Sequence, residues 1–417
     1  MFEQRLDLPA EPLTLARRLA KRAFSSLLAS KNGAVAYLAC DPVEHSSALD
    51  PEPGLVLEAR SPLHEVPRWV GLLPYEAQRD VERLGHGGAR SAPHVVAPHW
   101  VRYAAVAVIE RGRVRVVGDD RERVQALGAR LSEVTATSSA VELSRAIEHE
   151  APELHVARIV RALEHIRAGD LYQINLARRF ALGVRGSAVD LLERMQLRGP
   201  APHAAALGWG ELDVASVSPE LFLSLDASGQ LLTSPIKGTR PRGATESEEA
   251  QLARELDTDP KERAELTMVL DVERNDLARL ARPGSVRLAV PPHVEPHGPV
   301  LHRLATLGAQ LRPELTRTEI FRRMLPSGSV TGAPKVRAMD LIAELEAERR
   351  GLYTGAFGFL AHDGSFELGM AIRTLTVKDG LGHYWAGGGI VADSDPAREV
   401  QETLWKAEAL LGLLGQS

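Results

Sequence analysis

Hydrophobic and polar positions divide the chain into a strand-rich first third and a mixed remainder. Short apolar or alternating runs, each typical of a β-strand, occupy residues 33–40, 103–109, 171–177, 214–225, 366–378 and 383–391. Residues 134–140 are rich in serine and threonine and predict a linker, whereas the apolar positions over 156–166 have helical spacing. We therefore expect one region over residues 1–145 and a second over residues 150–415.

One of these strands alternates between apolar and amide side chains. Tyr172, Ile174 and Leu176 fall on one face, and Gln173 and Asn175 fall on the other. Two amides on one face indicate either an exposed sheet or the floor of a cleft. The strand taken alone favours the exposed sheet.

The composition is that of an ordinary globular protein, with 417 residues of which 44% are hydrophobic and 25% are charged. This length allows two or three domains, or one large one. A formal net charge of −5 argues against a nucleic-acid-binding protein, for which a basic excess is usual. The single cysteine, Cys40, excludes an intramolecular disulfide and a cysteine-based zinc site.

The N-terminal sequence and the apolar runs bear on location. Residues 1–20 carry charges throughout and contain no apolar run of signal-peptide length. No stretch of the sequence approaches the ~20 apolar residues that a membrane-spanning helix needs. We therefore expect a cytoplasmic protein with no membrane partner.

The most chemically suggestive stretch covers residues 234–243. Lys237 lies between Pro235 and Pro241 and is followed by Gly238. Prolines stiffen the backbone and glycine lets main chain approach a ligand, so the stretch predicts a rigid turn that aims one amine. The nearby arginines are close enough in sequence to lower the pKa of that amine or to bind an anion. The alternative is a basic surface loop, which these ten residues by themselves favour.

Two predicted helices carry acidic side chains. One begins with Asp259 as its N-cap and carries Glu265. The last helix of the chain places Glu399, Glu402 and Lys406 on one side. A solvated face with an ordinary Glu402–Lys406 pair is the simple interpretation, and helix statistics favour it. The alternative is that the three glutamates hold a hard cation such as Mg²⁺.

Two glycine-rich segments are predicted to lie beside a ligand. Residues 327–335 form a loop that leads into a helix, and such a loop offers backbone N–H groups and a positive dipole end to an anion. No Gly-Lys-Ser/Thr sequence closes this loop, so an NTPase is excluded. The second segment is Gly387, Gly388 and Gly389, where three missing side chains leave room beside a ligand.

Eight short blocks follow one another over about residues 150–410. They are residues 172–175, 218–220, 235–239, 274–276, 328–335, 371–374 and 387–394, and the final set of Glu399, Glu402 and Lys406. In sequence and in order they resemble the chorismate-utilising enzymes, a family that includes anthranilate synthase component I, aminodeoxychorismate synthase component I, and the isochorismate and salicylate synthases. The N-terminal third resembles this family only through residues 71–75.

The resemblance implies a fold and a division of the chain. The expected fold is α+β, with two large antiparallel β-sheets packed as a sandwich and helices outside. Residues 1–145 would be an N-terminal region of the anthranilate synthase component I type, and residues 150–415 the chorismate-binding catalytic region. The two are expected to form one intertwined unit.

Two positions favour one branch of the family. In the family that this chain resembles, the isochorismate- and salicylate-forming members carry a lysine at the position of Gln173, and that lysine activates water for attack at C2 of chorismate. Gln173 has no basic nitrogen, so addition of water to chorismate is not expected. Anthranilate synthases typically carry alanine at the position of Lys237, whereas aminodeoxychorismate synthases carry lysine. The resemblance therefore implies amination of chorismate at C4 to 4-amino-4-deoxychorismate, towards 4-aminobenzoate and folate. Anthranilate synthase component I is the alternative.

The resemblance also implies a role for each site residue. Lys237 would attack C2 of chorismate as the C4 hydroxyl departs, ammonia would then add at C4 and expel the lysine, and Glu220 would be the general acid/base. Mg²⁺ on Glu265, Glu399 and Glu402 would bind the ring carboxylate. The implied substrate-binding residues are Gly238, Thr239, His302, Thr331, Tyr353, Arg373, Gly387, Gly388, Gly389 and Lys406.

The source of ammonia is expected to lie outside this sequence. The chain has no cysteine in a glutaminase elbow, so it would use free ammonia or dock a glutamine amidotransferase subunit. It has no pyridoxal-phosphate lyase region either, so the product would keep its enolpyruvyl group. A non-catalytic chorismate-binding subunit is a further alternative, against which the presence of Lys237 and Glu220 argues.

Overall fold

Two large antiparallel β-sheets and nine α-helices make up the part of the chain that the structure describes. The structure is a computed structural model and describes residues 1–414 except 55, 59–60, 79–92, 134–139, 150, 198, 299 and 347. Nearly all of the predicted linker over 134–140 thus lies outside the described residues. None of the described helices is long and apolar enough to cross a membrane.

The strands are numbered along the chain. They are β1 (Phe2–Leu6), β2 (Ser25–Ser30), β3 (Val35–Ala39), β4 (Glu44–Ser46), β5 (Pro67–Leu73), β6 (His99–Arg102), β7 (Ala105–Glu110), β8 (Arg113–Gly118), β9 (Glu142–His149), β10 (Gln173–Arg185), β11 (His203–Trp209), β12 (Leu212–Ser218), β13 (Leu221–Leu225), β14 (Gln230–Ser234), β15 (Ile236–Pro241), β16 (Arg287–His297), β17 (Val300–Gln310), β18 (Gly332–Ala333), β19 (Ala356–Ala361), β20 (Phe366–Met370), β21 (Thr374–Lys378) and β22 (Leu381–Ile390).

The helices are numbered in the same way. They are α1 (Pro12–Arg17), α2 (Arg121–Ser132), α3 (Pro152–Arg167), α4 (Ala188–Gln196), α5 (Glu246–Thr258), α6 (Pro260–Ala278), α7 (Arg317–Met324), α8 (Lys335–Leu345) and α9 (Pro396–Leu414). The expected helix over 156–166 is confirmed as α3. The expected start of α6 is also confirmed, since Asp259 accepts hydrogen bonds from the backbone N–H groups of Lys261 and Glu262.

Both sheets draw strands from both sequence regions. The first sheet has the order β1-β8-β7-β3-β2-β11-β12-β21-β22-β10-β18, with β9 also paired to β10. The second has the order β15-β17-β14-β13-β20-β19-β5-β6-β4, with β16 also paired to β17. Strand β2 pairs antiparallel with β11, and β5 pairs antiparallel with β19. Strand pairing therefore joins the N-terminal region to the second region in each sheet.

The two sheets pack face to face through an apolar core. Leu28, Tyr37 and Leu207 of the first sheet share a buried cluster with Leu72 and Phe359 of the second. Helices α1, α2 and α4 cover the outer face of the first sheet, and α6 and α7 cover that of the second. Removal of these apolar faces from water stabilises the stack of layers. The expected α+β sandwich with outer helices is confirmed.

Two segments predicted as single strands instead cross from one sheet to the other. The segment over 214–225 is β12 of the first sheet followed by β13 of the second, and the break falls at Pro219 and Glu220. The segment over 366–378 is β20 of the second sheet followed by β21 of the first, with Arg373 in the left-handed region at φ 50°. The prediction of continuous strands was wrong because hydrophobic alternation runs on through both breaks, whereas the chain changes layers there.

Backbone hydrogen bonds join each crossing to a strand that borders the other crossing. The backbone N–H of Met370 donates to the carbonyl of Glu220 at 3.0 Å, and the N–H of Val217 donates to the carbonyl of Arg373 at 3.1 Å. Each crossing therefore fixes the other. As a result, Glu220 and Arg373 both lie at the junction between the sheets.

A buried ion pair ties helix α8 to this junction. The Arg350 guanidinium makes two hydrogen bonds to the Glu346 carboxylate, at 2.9 and 2.7 Å. The same guanidinium donates to the carbonyl of Val330 at 2.9 Å and to that of Asn175 at 2.7 Å. Arg350 is 2% exposed, and among the described residues its charge is compensated by the Glu346 carboxylate.

Removal of that carboxylate is expected to destabilise the fold. Glu346→Ala leaves the Arg350 charge buried without its counterion, and we expect the free energy of unfolding to fall by about 3–5 kcal/mol. The matched control is Glu344→Ala, two positions earlier, where the pair with Arg161 is about half exposed. There we expect a loss of no more than about 1 kcal/mol. Denaturant unfolding of both variants measures the difference, and equal losses would contradict the account.

Candidate active site

The predicted site residues meet in a crevice at the junction of the two sheets. Strand β15 of the second sheet contributes Lys237, and β22 of the first contributes the three glycines. Glu220 and Arg373 come from the two crossings. Helices α6 and α9 bring acidic side chains to the same region. Residues that are distant in sequence therefore surround one space.

Lys237 is half-buried and its amine faces the protein interior. Its Nζ donates a hydrogen bond to the carbonyl of Ser329 at 3.3 Å. Burial lowers the pKa of this amine, an effect that the carboxylate of Glu265 opposes and that the ammonium of Lys406 reinforces. The interpretation of this stretch as a solvated surface loop is therefore wrong for Lys237.

The two arginines of the same stretch point elsewhere. Arg240 pairs with Asp259 at 3.1 Å and with Glu262 at 3.4 Å, and Arg242 pairs with Glu249. These partners belong to the start of α6 and to α5. The hypothesis that the arginines lower the pKa of Lys237 is wrong, because burial and Lys406 have that effect.

Glu220 is 4% exposed and keeps its proton to an unusually high pH. Burial raises the pKa of its carboxyl to about 7, although the hydrogen bond from Ser329 and the charges of Lys237 and Arg373 act in the opposite direction. Its Oε1 accepts a hydrogen bond from Ser329 Oγ at 2.8 Å. A carboxyl group that titrates near neutrality is suited to donate and accept a proton in turn.

His302 holds Arg373 in place and is not itself an acid or base at neutral pH. Arg373 donates from a terminal nitrogen to His302 Nε2 at 3.2 Å, so Nδ1 must carry the ring proton. That nitrogen lies 3.1 Å from Thr239 Oγ1 and 3.4 Å from the carbonyl of Gly238. Burial lowers the pKa of His302 well below its usual value, and the charge of Arg373 adds to this effect. A neutral histidine therefore links β15 to the arginine.

Gly238 is required by both its conformation and its surroundings. Its φ is +84°, which side chains other than that of glycine rarely adopt. A Cβ at this position would lie 2.8 Å from Leu256 and 2.9 Å from Glu262. The tight packing brings the main chain beside Lys237 against helices α5 and α6.

Tyr353 stacks on a tryptophan that the sequence did not suggest. The rings of Tyr353 and Trp385 are 5.7 Å apart with an interplanar angle of 11°, and the Arg350 guanidinium lies 5.7 Å from the Tyr353 ring centre. Burial raises the pKa of the Tyr353 hydroxyl, which stays neutral. Arg350 thus places a proposed substrate-binding residue as well as the backbone behind it.

The three glycines of β22 pack against three different groups. A Cβ on Gly387 would lie 2.5 Å from the carbonyl of Leu176 on the neighbouring strand. One on Gly388 would lie 3.1 Å from a Glu399 oxygen and 3.6 Å from a Glu402 oxygen. One on Gly389 would lie 2.6 Å from the Gln173 amide and 3.7 Å from Lys237 Nζ. The missing side chains therefore leave the space in which the amine, the amide and the carboxylates approach one another.

Glu265, Glu399 and Glu402 lie close enough to influence one another. Burial raises the pKa of Glu265 and of Glu399, and the charge of Glu402 adds to both shifts. Glu399 accepts a hydrogen bond from Ser394 at 2.7 Å, and Glu402 pairs with Lys406 at 2.6 Å. Among the described residues, no group of three or more carboxylate, histidine or cysteine side chains is arranged as a metal site.

The donor set of these glutamates nevertheless fits a hard divalent cation. Three carboxylates with mutual repulsion favour a positive charge between them, and oxygen ligands suit Mg²⁺. In the described arrangement Lys406 satisfies part of that demand, and it also donates to the carbonyl of Gly387 at 2.8 Å.

Gln173 and Asn175 are buried beside the glycines, so the exposed-sheet interpretation is wrong. Gln173 Oε1 and Asn175 Oδ1 are buried without a hydrogen-bond partner in the described part of the chain. Buried amide oxygens are usually satisfied, so these two are available to a bound molecule. Tyr172, expected with the apolar face, is 74% exposed.

The glycine loop binds an internal carboxylate where the sequence predicted an external anion. The backbone N–H of Ser329 donates to Glu273 Oε1 at 3.2 Å. Thr331, a predicted substrate-binding residue, directs its hydroxyl to the carbonyl of Ser327 at 2.9 Å. Its observed role is to hold the loop together.

The sequence did not indicate four residues that contact the predicted site residues or the loop beside them, namely Ser329, Glu273, Arg350 and Trp385. Ser329 lay within a recognised block and could have been found from its position there. The other three act through tertiary contacts, which no local pattern encodes.

Comparison with known proteins identifies the family of the chain. A family described as chorismate binding enzyme matches residues 22–412. Anthranilate synthase component 1 of Thermus thermophilus is 43% identical over 259 residues, which are 62% of this chain and 56% of that protein. Aminodeoxychorismate synthase component 1 of Klebsiella aerogenes is 36% identical over 348 residues, which are 82% of this chain and 76% of that protein. The chain thus matches just over half the length of the first relative.

Solved structures extend the likeness to the whole fold. Anthranilate synthase component I of Streptococcus pneumoniae has a TM-score of 0.75 at 29% identity, covering 93% of this chain and 92% of that one. The menaquinone-specific isochorismate synthase of Escherichia coli has a TM-score of 0.74 at 19% identity, covering 99% of this chain and 95% of that one, and shows the fold alone. From the family match and the crevice together, the chain belongs to the chorismate binding enzyme family.

Proposed function

We propose that the protein aminates chorismate at C4 to give 4-amino-4-deoxychorismate, with Lys237 as a covalent nucleophile. The observation that carries the proposal is the half-buried Lys237, whose amine has a lowered pKa and lies in the space beside Gly389 and Gln173. A neutral amine is a nucleophile, whereas an ammonium is not. Burial therefore raises the fraction of Lys237 that can react.

The proposed reaction has two displacement steps. The Lys237 nitrogen forms a bond to C2, both ring double bonds shift, and the C4 hydroxyl leaves as water with a proton from Glu220. Ammonia then forms a bond to C4, both double bonds shift back, and the C2–nitrogen bond breaks to free the lysine. Glu220 recovers a proton from the incoming ammonia. One difficult substitution becomes two easier ones.

Other residues would hold and orient the substrate. Arg373, positioned by neutral His302, presents a half-buried cation to a substrate carboxylate. Gln173 Oε1 and Asn175 Oδ1 offer hydrogen-bond acceptors to hydroxyl or amine groups. Mg²⁺ on Glu265, Glu399 and Glu402 would supply Lewis-acid stabilisation of the ring carboxylate.

We further propose that ammonia comes from a separate glutamine amidotransferase subunit. Two similar proteins are named as component 1 of a synthase, a name that implies a second component. Cys40, the single cysteine, is buried in the apolar cluster beneath helices α1, α2 and α4. Burial raises the pKa of its thiol to about 11, which disfavours a glutaminase role for it.

Anthranilate synthase activity is the second candidate, because the anthranilate synthase of Thermus thermophilus is 43% identical over its match. Incubation of the protein with chorismate, Mg²⁺ and ammonium separates the two. We expect 4-aminobenzoate to form only after a 4-amino-4-deoxychorismate lyase is added. Fluorescent anthranilate formed without the lyase would establish the second candidate and refute the first.

Replacement of the amine tests the covalent step. We expect Lys237→Ala to reduce formation of the 4-amino product by on the order of 10³-fold or more, as for loss of other covalent nucleophiles. Direct attack of ammonia at C2 needs no lysine, so an anthranilate-type product is the expected residual activity. The matched control is Lys31→Ala, which removes an exposed amine paired with Glu65. Unchanged 4-amino product from the Lys237 variant would refute the covalent route.

A further inference from the structure

Four oxygen-bearing side chains form a buried chain behind Lys237. Glu220 Oε1 accepts a hydrogen bond from Ser329 Oγ at 2.8 Å. Ser329 Oγ lies 2.9 Å from Ser327 Oγ, which in turn lies 2.5 Å from Glu273 Oε1. All four residues are buried, and Glu273 is 0% exposed. Two carboxyl groups are thus joined by two hydroxyl groups through three short oxygen–oxygen contacts.

The number of protons shared by these four side chains decides whether all three oxygen–oxygen contacts can be hydrogen bonds. Each serine hydroxyl has one proton to donate. Three contacts need three protons, so with both carboxylates ionised one contact would bring two oxygens together with no proton between them. A single proton on either Glu220 or Glu273 completes the chain, because all hydroxyl groups then point away from the protonated end. The geometry is therefore that of two carboxyl groups holding one proton in common.

We propose that Glu273 shares one proton with Glu220 through Ser327 and Ser329, and so serves as a proton reservoir for Glu220. Glu273 does not touch the substrate and acts only through Glu220, so the inference rests on the proposed role of Glu220 in chorismate amination. When the shared proton rests on Glu273, Glu273 donates it to Ser327, Ser327 donates to Ser329, and Ser329 donates to Glu220 before the C4 hydroxyl leaves. The net result is a protonated Glu220 and an ionised Glu273.

The surroundings of Glu273 favour its protonated form. Burial raises the pKa of Glu273, and the carboxylate of Asp276 on the same helix adds to the shift. Opposing effects come from Ser327, from the Ser329 N–H and from Lys335, which pairs with Asp276 at 2.8 Å. Glu273 Oε2 is buried with no hydrogen-bond partner among the described residues, as expected of a group that need not stay ionised.

An open cavity of about 750 Å³ adjoins the part of helix α6 that carries Glu273, and its lining includes Val272, Asp276 and Lys335. Glu273 itself is 0% exposed and is not among the lining residues.

Glu273→Gln tests the shared proton with little change of shape. The amide nitrogen of the variant, placed where Glu273 Oε1 now lies, donates to Ser327 and so completes the chain while Glu220 is ionised, and it gives up the hydrogen bond that Oε1 accepts from the Ser329 N–H. Because Glu220 must be protonated to react, kcat/KM should decline at high pH, with a midpoint near the Glu220 pKa of about 7. We expect this alkaline limb to move to lower pH in the variant. Rates are divided by the concentration of unprotonated ammonia at each pH, so that titration of ammonium does not affect the profile. At pH values above the Glu220 pKa, kcat/KM of the variant should be lower by about tenfold for each unit by which that pKa falls.

Two further variants separate a proton-transfer role from a structural one. Ser327→Ala interrupts the chain but leaves both carboxyl groups, and we expect the double variant with Glu273→Gln to be no slower than the slower single variant. Asp271→Asn is the matched control, since it removes an exposed carboxylate of the same helix that bonds Arg274 at 2.7 Å. Its pH profile should equal that of the unaltered protein. Additive losses in the double variant with an unmoved alkaline limb would overturn the proposal.

Infrared titration of the carboxyl groups tests the shared proton without turnover. We expect absorption by a protonated carboxyl group at pH 7 in the unaltered protein, and its loss in Glu273→Gln. Retention of the full band in that variant would overturn the proposal, whatever the kinetics. A protein that leaves chorismate unchanged would refute the proposed function instead, and the infrared comparison would then decide the shared proton by itself.

Discussion

The removal of the Lys237 amine from water is the constraint on which the crevice depends. An ammonium in a poorly solvated space must lose its proton or find compensating charge. The surroundings act in both directions, because Glu265 and Glu220 favour the ammonium whereas burial and Lys406 disfavour it. Burial is the largest of these effects, so the net result is a lowered pKa of the amine.

The fold creates this space by moving strands between sheets. If β12 continued straight into β13, or β20 into β21, Glu220 and Arg373 would lie on a regular strand face. The two crossings instead place them at the junction, where each backbone supports the other. Arg350 then fixes α8, β10 and the glycine loop from behind through one buried carboxylate. These elements hold Glu220 and Arg373 in fixed positions at the junction.

Local sequence patterns predicted where helices and strands lie better than they predicted which side chains are buried. The start of α6 at Asp259 follows from capping chemistry, which operates over three residues and is visible in sequence. The burial of Gln173 does not follow, because the strand alternates in the same way whether its amide face meets solvent or α9 and β15. The crossing at Arg373 is equally invisible to periodicity. Resemblance to a family brought Lys237 and Glu220 together, but the Glu273 chain depends on contacts across more than fifty positions.

The pKa of the Lys237 amine, measured by nuclear magnetic resonance of the protein labelled with ¹³C at the lysine ε-carbons, tests this account most directly. Comparison with Lys237→Ala assigns the resonance. The account predicts a titration clearly below the usual lysine value of about 10.4. A Lys237 resonance that titrates at or above that value would contradict it.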